Sequence, residues 1–129
     1  MYLNRRNVLA GMASLIASPS FATNQQVGLI FVGASWCAVC KQAAPILALF
    51  CERQGIEVLV ASADNRPIAP FPEFIPSKDN AIAAQINRYP TTLVFSVSEQ
   101  RVVGLIEGYR NPSWYLSKIT KNIREVLST

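Results

Sequence analysis

The sequence has no histidine among its 129 residues, and this absence excludes several classes of function. Without an imidazole, Ser-His-Asp and Cys-His catalysis, histidine proton shuttling and histidine-ligated zinc are impossible. Basic residues are scattered without a run of five, so the charge pattern does not indicate nucleic-acid binding. The length suits one compact domain and excludes a large multidomain enzyme.

The first 22 residues have the composition of a bacterial export signal. Arg5 and Arg6 form a basic start, the apolar run Val8–Ala17 follows, and Ser20-Phe21-Ala22 has small residues where a signal peptidase cleaves. About ten apolar residues are too few for a membrane span of roughly 20. We predict cleavage after Ala22 and a periplasmic domain over 23–129; an uncleaved signal acting as a membrane anchor is the alternative.

The route of export and the net charge both depend on the paired arginines. Arg5-Arg6 followed by Asn7-Val8-Leu9 resembles a twin-arginine signal, but arginine pairs also occur in Sec signals, so both routes remain open. Cleavage after Ala22 would remove both arginines and lower the formal net charge from +4 to +2.

The hydrophobic pattern predicts an α/β domain with the order β-α-β-α-β-β-α. Strands are predicted over 27–34, 57–62, 91–98 and 101–108, and helices over 38–54, 79–89 and 112–127. The first strand, helix and strand form a right-handed βαβ unit with parallel pairing. The last two strands, joined by Glu99-Gln100, form an antiparallel hairpin. Gly55 ends the first helix, Asp79 or Ser77 caps the second, and Asn111-Pro112 begins the third.

The segment 64–80 contains four prolines, which exclude a regular helix or a central strand. We predict a surface loop held to the core by Phe71 and Phe74. The alternative is a loop beside the active site that contacts a partner protein.

Cys37 and Cys40 lie three residues apart, and their context favours redox chemistry. Zinc needs four ligands and the motif offers two, while a structural disulfide across four residues restricts the unfolded chain little. Cu(I) binding by the two thiolates is a further alternative. Cys37 lies just before a helix, where free N–H groups and the helix dipole stabilise a thiolate. Cys37 is therefore the predicted nucleophile, and Cys40 the thiol that resolves the mixed disulfide.

The third cysteine, Cys51, lies too far along the same helix to pair with Cys37. We interpret it as a buried apolar residue, with a regulatory or intermolecular thiol as the alternative. Trp114 and Tyr115 on the last helix are interpreted as packing residues.

Several motifs resemble those of the thioredoxin-like proteins. The segment WCAVCK matches the W-C-x-x-C-K active site, Pro45 matches the proline within the active-site helix, and YPTTLVF matches the cis-proline turn with its following strand. Gly108 matches the glycine that ends the hairpin. The resemblance implies a thioredoxin-like fold with a central mixed four-stranded sheet flanked by helices.

The resemblance also implies a substrate-binding surface beside the cysteines. It implies a cis Tyr89-Pro90 bond facing Cys37, whose surroundings pair with an extended substrate backbone. An ordinary trans turn at Pro90 is the alternative. The implied substrate-binding residues are Trp36, Ala38, Val39, Tyr89, Pro90 and Thr91.

Two positions depart from the thioredoxin pattern. Thioredoxins carry a buried acid six residues before the first active-site cysteine, where this chain has Phe31. The residues between the cysteines, Ala38-Val39, are neither the Gly-Pro of reductants nor a histidine-containing pair of strong oxidants. We therefore expect an intermediate reduction potential.

A narrower resemblance concerns the proline-rich segment and the residues that lead from it into the next strand. PFPEFIPSKDNAIAAQINRYPTTLVF is similar to the corresponding region of the TraF and TrbB group of F-type conjugative pilus assembly proteins. That group acts in the periplasm and helps disulfide-bonded transfer proteins to fold.

The sequence thus predicts an exported, monomeric thiol–disulfide oxidoreductase that acts on protein thiols and disulfides without a metal or organic cofactor. A redox partner, with a membrane-bound donor as one option, must restore the cysteine pair. The direction of electron flow stays open. The rival interpretations are a non-catalytic docking module that uses the proline-rich loop, and a Cu(I)-handling dithiol protein.

Overall fold

A computed structural model describes residues 26–128, which form one five-stranded sheet with helices and turns packed on its two faces. The strand order is β3-β2-β1-β4-β5. The strands are β1 (Val27–Gly33), β2 (Glu57–Ser62), β3 (Ile75–Pro76), β4 (Thr91–Ser96) and β5 (Arg101–Glu107), and the helices are α1 (Ala38–Gln54) and α2 (Pro112–Leu127). The predicted signal peptide lies outside the described residues.

Strand β1 lies at the centre of the sheet and fixes where the functional residues meet. It pairs in parallel with β2 and antiparallel with β4, so that Gly33 lies opposite Ser62 and Val32 opposite Thr91. The C-terminal ends of β1 and β2 and the start of β4 therefore lie at the same end of the sheet. The chain between β1 and α1, which carries the first cysteine, begins at this end.

Helices α1 and α2 pack on the same face of the sheet. Their buried residues join the odd-numbered side chains of β1 in one core; the helical members are Cys40, Ala43, Ala44, Leu47, Cys51, Tyr115, Ile119, Ile123 and Val126. The opposite face is covered by a smaller cluster, in which Ala83 packs with Ile30, Val32 and Leu93. The mixed sheet with flanking helices confirms the predicted fold class.

The sheet has one strand more than predicted. The four expected strands are β1, β2, β4 and β5, and the two-residue β3 comes from the proline-rich segment. Ile75 pairs with Ala61 and Pro76 with Ser62, at the edge of the sheet, where a proline without an N–H is tolerated.

The prediction of a helix over 79–89 is wrong, because the segment begins at the end of one 3₁₀ turn, Ser77–Asp79, and contains a second, Ala83–Gln85. Asn80, and neither Asp79 nor Ser77, supplies the cap: its Oδ1 accepts from the N–H groups of Ile82 and Ala83 at 3.0 and 2.9 Å. A side chain that binds its own following backbone competes with helix formation. Pro90 also limits the end of the segment, because the residue before a proline, here Tyr89, disfavours helical angles.

The other predicted boundaries hold where local chemistry sets them. Gly55 ends α1 in the left-handed conformation at φ 67°, and the Asn111 side chain accepts from the Trp114 N–H at 2.8 Å to begin α2. Phe71 and Phe74 pack against the main core, as predicted for the proline-rich loop. No helix within residues 26–128 is both long and apolar enough to span a membrane.

Candidate active site at Cys37 and Cys40

Cys37 is the N-cap residue of α1, with extended backbone angles of φ −81° and ψ 113°. A cap residue needs a side-chain acceptor for the free N–H groups of the first turn, and here the acceptor is sulfur. The Cys37 Sγ accepts from the Cys40 N–H at 3.2 Å. The tight turn before the helix is closed by the Cys37 N–H, which donates to the Ala34 carbonyl at 3.2 Å. The fold thus places the first sulfur at the positive end of the α1 dipole.

The two thiols differ in access to solvent, and burial makes the second less acidic than a free thiol. The exposed fraction is 8% for Cys37 and 0% for Cys40, which lies in the main core. Burial, reinforced by the hydrogen bond with Cys37, raises the pKa of Cys40 to about 12. Cys40 therefore keeps its proton at neutral pH, and Cys37 is the member of the pair with surface exposed to solvent.

The Tyr89–Pro90 turn faces the first sulfur. The peptide bond between these residues is cis, and the Cys37 thiol donates to the Tyr89 carbonyl across 3.8 Å. The Pro90 carbonyl accepts from the Gly108 N–H at 2.8 Å, which ties the turn to the end of β5. The rings of Trp36 and Tyr89 meet edge to face with centroids 6.2 Å apart. A turn that is 52 residues away in the sequence therefore contacts Cys37.

The predicted substrate-binding residues divide into exposed and buried groups. Trp36 is 67% exposed, Ala38 and Val39 are also exposed, and Tyr89 is half-buried. Pro90 and Thr91 are fully buried, and the Thr91 hydroxyl donates inward to the Arg88 carbonyl at 2.7 Å. The Thr91 side chain therefore stabilises the turn and is not exposed for binding. The surface available for binding consists of Trp36, Ala38, Val39 and Tyr89.

Gly33 provides the space beneath the cysteine pair. A Cβ at this position would lie 3.0 Å from the Cys40 Sγ and 3.3 Å from side-chain carbons of both Ile68 and Phe31. All three neighbours are buried in the main core, so none can move freely. The second cysteine therefore depends on a glycine seven residues before it.

We expect Gly33→Ala to lower the free energy of unfolding by about 1–3 kcal/mol, because the added methyl overpacks the core beside Cys40. Urea denaturation of the reduced protein would measure this loss. Gly28→Ala is the matched control: it lies on the same strand, and its added Cβ would approach the Glu57 carbonyl oxygen only to 3.9 Å. Equal effects of the two substitutions would contradict close packing between Gly33 and Cys40.

Cys51 and Tyr115 belong to the same core cluster as Cys40. Cys51 is buried in α1, as the sequence interpretation expected, and burial raises its pKa to about 12. Tyr115 is fully buried, its hydroxyl lies 2.6 Å from that of Thr92, and burial raises its pKa. Trp114 is half-buried, with Arg110 and Lys118 over its ring. These residues pack the helices; the position of Cys51 leaves its thiol with almost no solvent access.

Sequence reasoning missed Asp64, which lies beside the turn that leads into α1. Its carboxylate accepts from the N–H and the hydroxyl of Ser35, two residues before Cys37, and from the Ser62 hydroxyl. The contact with Ser35 joins residues 29 positions apart, and no local pattern predicts it. Within residues 26–128, no group of three or more Cys, Asp or Glu side chains is arranged to hold a metal ion.

The fold is shared with solved thioredoxin-like structures. A Chlorobium tepidum protein described as the thiol:disulfide interchange protein DsbE is 19% identical with a TM-score of 0.61, over 79% of this chain and 80% of that one. The exposed lipoprotein thioredoxin of Streptococcus pneumoniae is 16% identical with a TM-score of 0.57, over 78% and 84%. For Malassezia sympodialis thioredoxin the values are 21%, 0.53, 78% and 77%. At these identities the likeness establishes the fold.

Family membership rests on a comparison of sequence. No curated protein sequence matches this chain significantly. The family model TraF, described as an F plasmid transfer operon protein, matches residues 20–121, which include both cysteines, the proline-rich loop and the Tyr89–Pro90 turn. Since this match spans most of the chain, the protein belongs to the TraF family and has the thioredoxin-like fold.

Proposed function

We propose that this protein catalyses thiol–disulfide exchange with protein substrates through Cys37 and Cys40. The observation that carries the proposal is the asymmetry of the pair: the Cys37 sulfur accepts from the Cys40 N–H and keeps a small exposed surface, whereas the Cys40 thiol is fully buried and keeps its proton. An exchange enzyme with two cysteines uses one thiol to attack the substrate and the other to resolve the mixed disulfide. The neighbours DsbE and the thioredoxins, by their names, support the same chemistry.

In the reducing direction, the Cys37 thiolate attacks one sulfur of a substrate disulfide, and the other substrate sulfur leaves as a thiolate. Cys40 then loses its proton and attacks the Cys37 sulfur, which releases the second substrate thiolate and leaves a Cys37–Cys40 disulfide. In the oxidising direction the same steps run backwards. Two electrons pass in either case, so a dithiol donor or a disulfide acceptor must restore the starting state.

The proposed substrates are proteins of the bacterial periplasm that take part in conjugative transfer. The export-type N-terminus and the family description, F plasmid transfer operon protein, support this assignment. Trp36, Val39 and Tyr89 offer an apolar surface beside Cys37 for an extended segment of substrate.

The reduction potential of the cysteine pair tests the proposal. The protein would be equilibrated in buffers of graded glutathione or dithiothreitol ratio, and its free thiols would then be alkylated and counted. We expect a reversible two-electron transition between roughly −270 and −120 mV, the interval from thioredoxin to strong oxidases. A value near the lower bound indicates a reductant and one near the upper bound an oxidase. Cysteines that do not cycle would contradict the enzyme and favour the docking module.

A further inference from the structure

We propose that Asp64 is a positioning residue for thiol–disulfide exchange, because it holds the turn that carries Trp36 and Cys37. The proposal rests on the function proposed above and adds a residue that lies 27 positions after the nucleophile in the sequence. Asp64 acts through Ser35, with which it makes two hydrogen bonds.

The Asp64 carboxylate uses both of its oxygens. Oδ1 accepts from the Ser35 N–H at 3.1 Å and from the Ser62 hydroxyl at 2.9 Å, while Oδ2 accepts from the Ser35 hydroxyl. An ionised carboxylate is an acceptor at both oxygens, so it matches three donors. These hydrogen bonds, above all that from the Ser35 hydroxyl, hold the pKa of Asp64 below its usual range. The group is therefore charged at neutral pH.

The carboxylate lies where two parallel strands end side by side. Ser62 is the last residue of β2 and lies opposite Gly33, the last residue of β1. The Ala63 N–H continues this pairing by donating to the Gly33 carbonyl at 2.8 Å. Asp64 comes next in the chain and reaches across to Ser35, in the turn between β1 and α1. Its anchor is thus the hydrogen-bonded end of β1 and β2.

The turn runs between two buried residues, Ala34 and Cys37, and its middle is more exposed. Ser35 is half-buried and Trp36 is largely exposed, with its ring meeting that of Tyr89. The Cys37 N–H donates to Ala34 within the same turn. Asp64 adds the hydrogen bonds that tie the middle of this turn to the end of β2. Because nucleophilic attack requires a narrow range of approach, a misplacement of about 1 Å can cost on the order of 100-fold in rate.

Three substitutions separate geometry from charge. Asp64→Ala removes all three hydrogen bonds. Asp64→Asn removes the charge but can keep them, because the amide oxygen accepts from the Ser35 N–H and the Ser62 hydroxyl while the amide NH₂ donates to the Ser35 hydroxyl oxygen. Ser35→Ala removes one bond from the other side. Asp79→Ala is the control, since it deletes an acidic residue from the 3₁₀ turn Ser77–Asp79, away from Ser35 in the sequence.

The assay is reduction of insulin disulfides by the full chain with dithiothreitol as electron donor. We expect Asp64→Ala to lower kcat/KM by between about tenfold and about 100-fold, Ser35→Ala by less, and Asp64→Asn to recover most of the rate. The double variant Ser35→Ala with Asp64→Ala should be no slower than Asp64→Ala alone, because both changes break one unit. Asp79→Ala should match the unchanged protein.

Alkylation by iodoacetamide in native buffer supplies the readout for unfolding. The buried Cys51 thiol should stay protected in Asp64→Ala; if it reacts, the rate is lost by general loosening and the proposal is overturned. Equal rates for Asp64→Ala and Asp79→Ala also overturn it, as does an Asp64→Asn variant as slow as Asp64→Ala. If the unchanged protein reduces no insulin, the proposed function itself is wrong. The three results above overturn only the role of Asp64.

Discussion

Replacing Cys37 with serine should reduce thiol–disulfide exchange by at least about 1,000-fold, because a hydroxyl at neutral pH cannot replace a thiolate as the attacking group. Cys40→Ser should behave differently. Its Cys37 can still attack, so the variant should accumulate a covalent complex with the substrate, visible on a non-reducing gel and removed by dithiothreitol. The measurement is insulin reduction for the rate and gel mobility for the complex.

Cys51→Ser is the matched control for both substitutions, since it removes a thiol of the same helix that lies away from the reacting pair. It should retain the rate and form no complex. A complex that forms with Cys37→Ser and not with Cys40→Ser would reverse the assigned roles. If the double variant Cys37→Ser with Cys40→Ser still supports normal disulfide formation in its partner proteins, catalysis is not the function and the docking module replaces it.

The reduced protein should lose stability steeply as the pH rises above about 9. Cys40 and Cys51 each have a folded pKa of about 12 against an ordinary value of 9.0. Above pH 9 the unfolded thiols ionise while the folded ones hold their protons, so each favours unfolding by about 1.4 kcal/mol per pH unit. Tyr115, whose pKa is also raised, adds to the loss above pH 10. Between pH 8 and pH 10 we expect a decrease of roughly 3 kcal/mol.

Urea denaturation at a series of pH values would measure this dependence, and two controls divide it. A Cys37–Cys40 disulfide withdraws Cys40 from titration, and Cys51→Ser withdraws Cys51. Each should remove about half of the decrease between pH 8 and pH 10, and both together should nearly abolish it. A reduced protein whose stability is flat across this interval would mean that solvent reaches both thiols in the folded state.

The parts of the fold that the sequence predicted are those that local chemistry determines. Helix α1 ends at Gly55, the only residue type that readily adopts its left-handed angle, and α2 begins at Asn111, whose side chain caps its first turn. The helix prediction for residues 79–89 was wrong because two sequence signals compete there. Its composition suits a helix, but the Asn80 side chain binds the N–H groups that follow it and favours a short turn.

The candidate site divides in the same way. Cys37, Cys40 and Pro90 could be found because motifs mark them along the chain. Asp64 and Gly33 could not, because their importance arises from approaches that depend on strand register: Asp64 reaches Ser35 across the ends of two strands, and Gly33 lies beside Cys40. The proline-rich loop likewise contains a second cis bond, Ala69–Pro70, which composition alone did not identify.

Phe31 has a consequence for how long a substrate stays attached. It is fully buried, adjoins the space beneath Cys40 and packs against Phe71. Among the described residues, no carboxylate is among the groups that shift the Cys40 pKa. Once Cys37 is joined to a polypeptide, the Cys40 proton has to reach the solvent without a buried acid to receive it. We therefore expect a long-lived covalent complex between Cys37 and its substrate. A substrate protein attached through one sulfur can continue to fold before it is released.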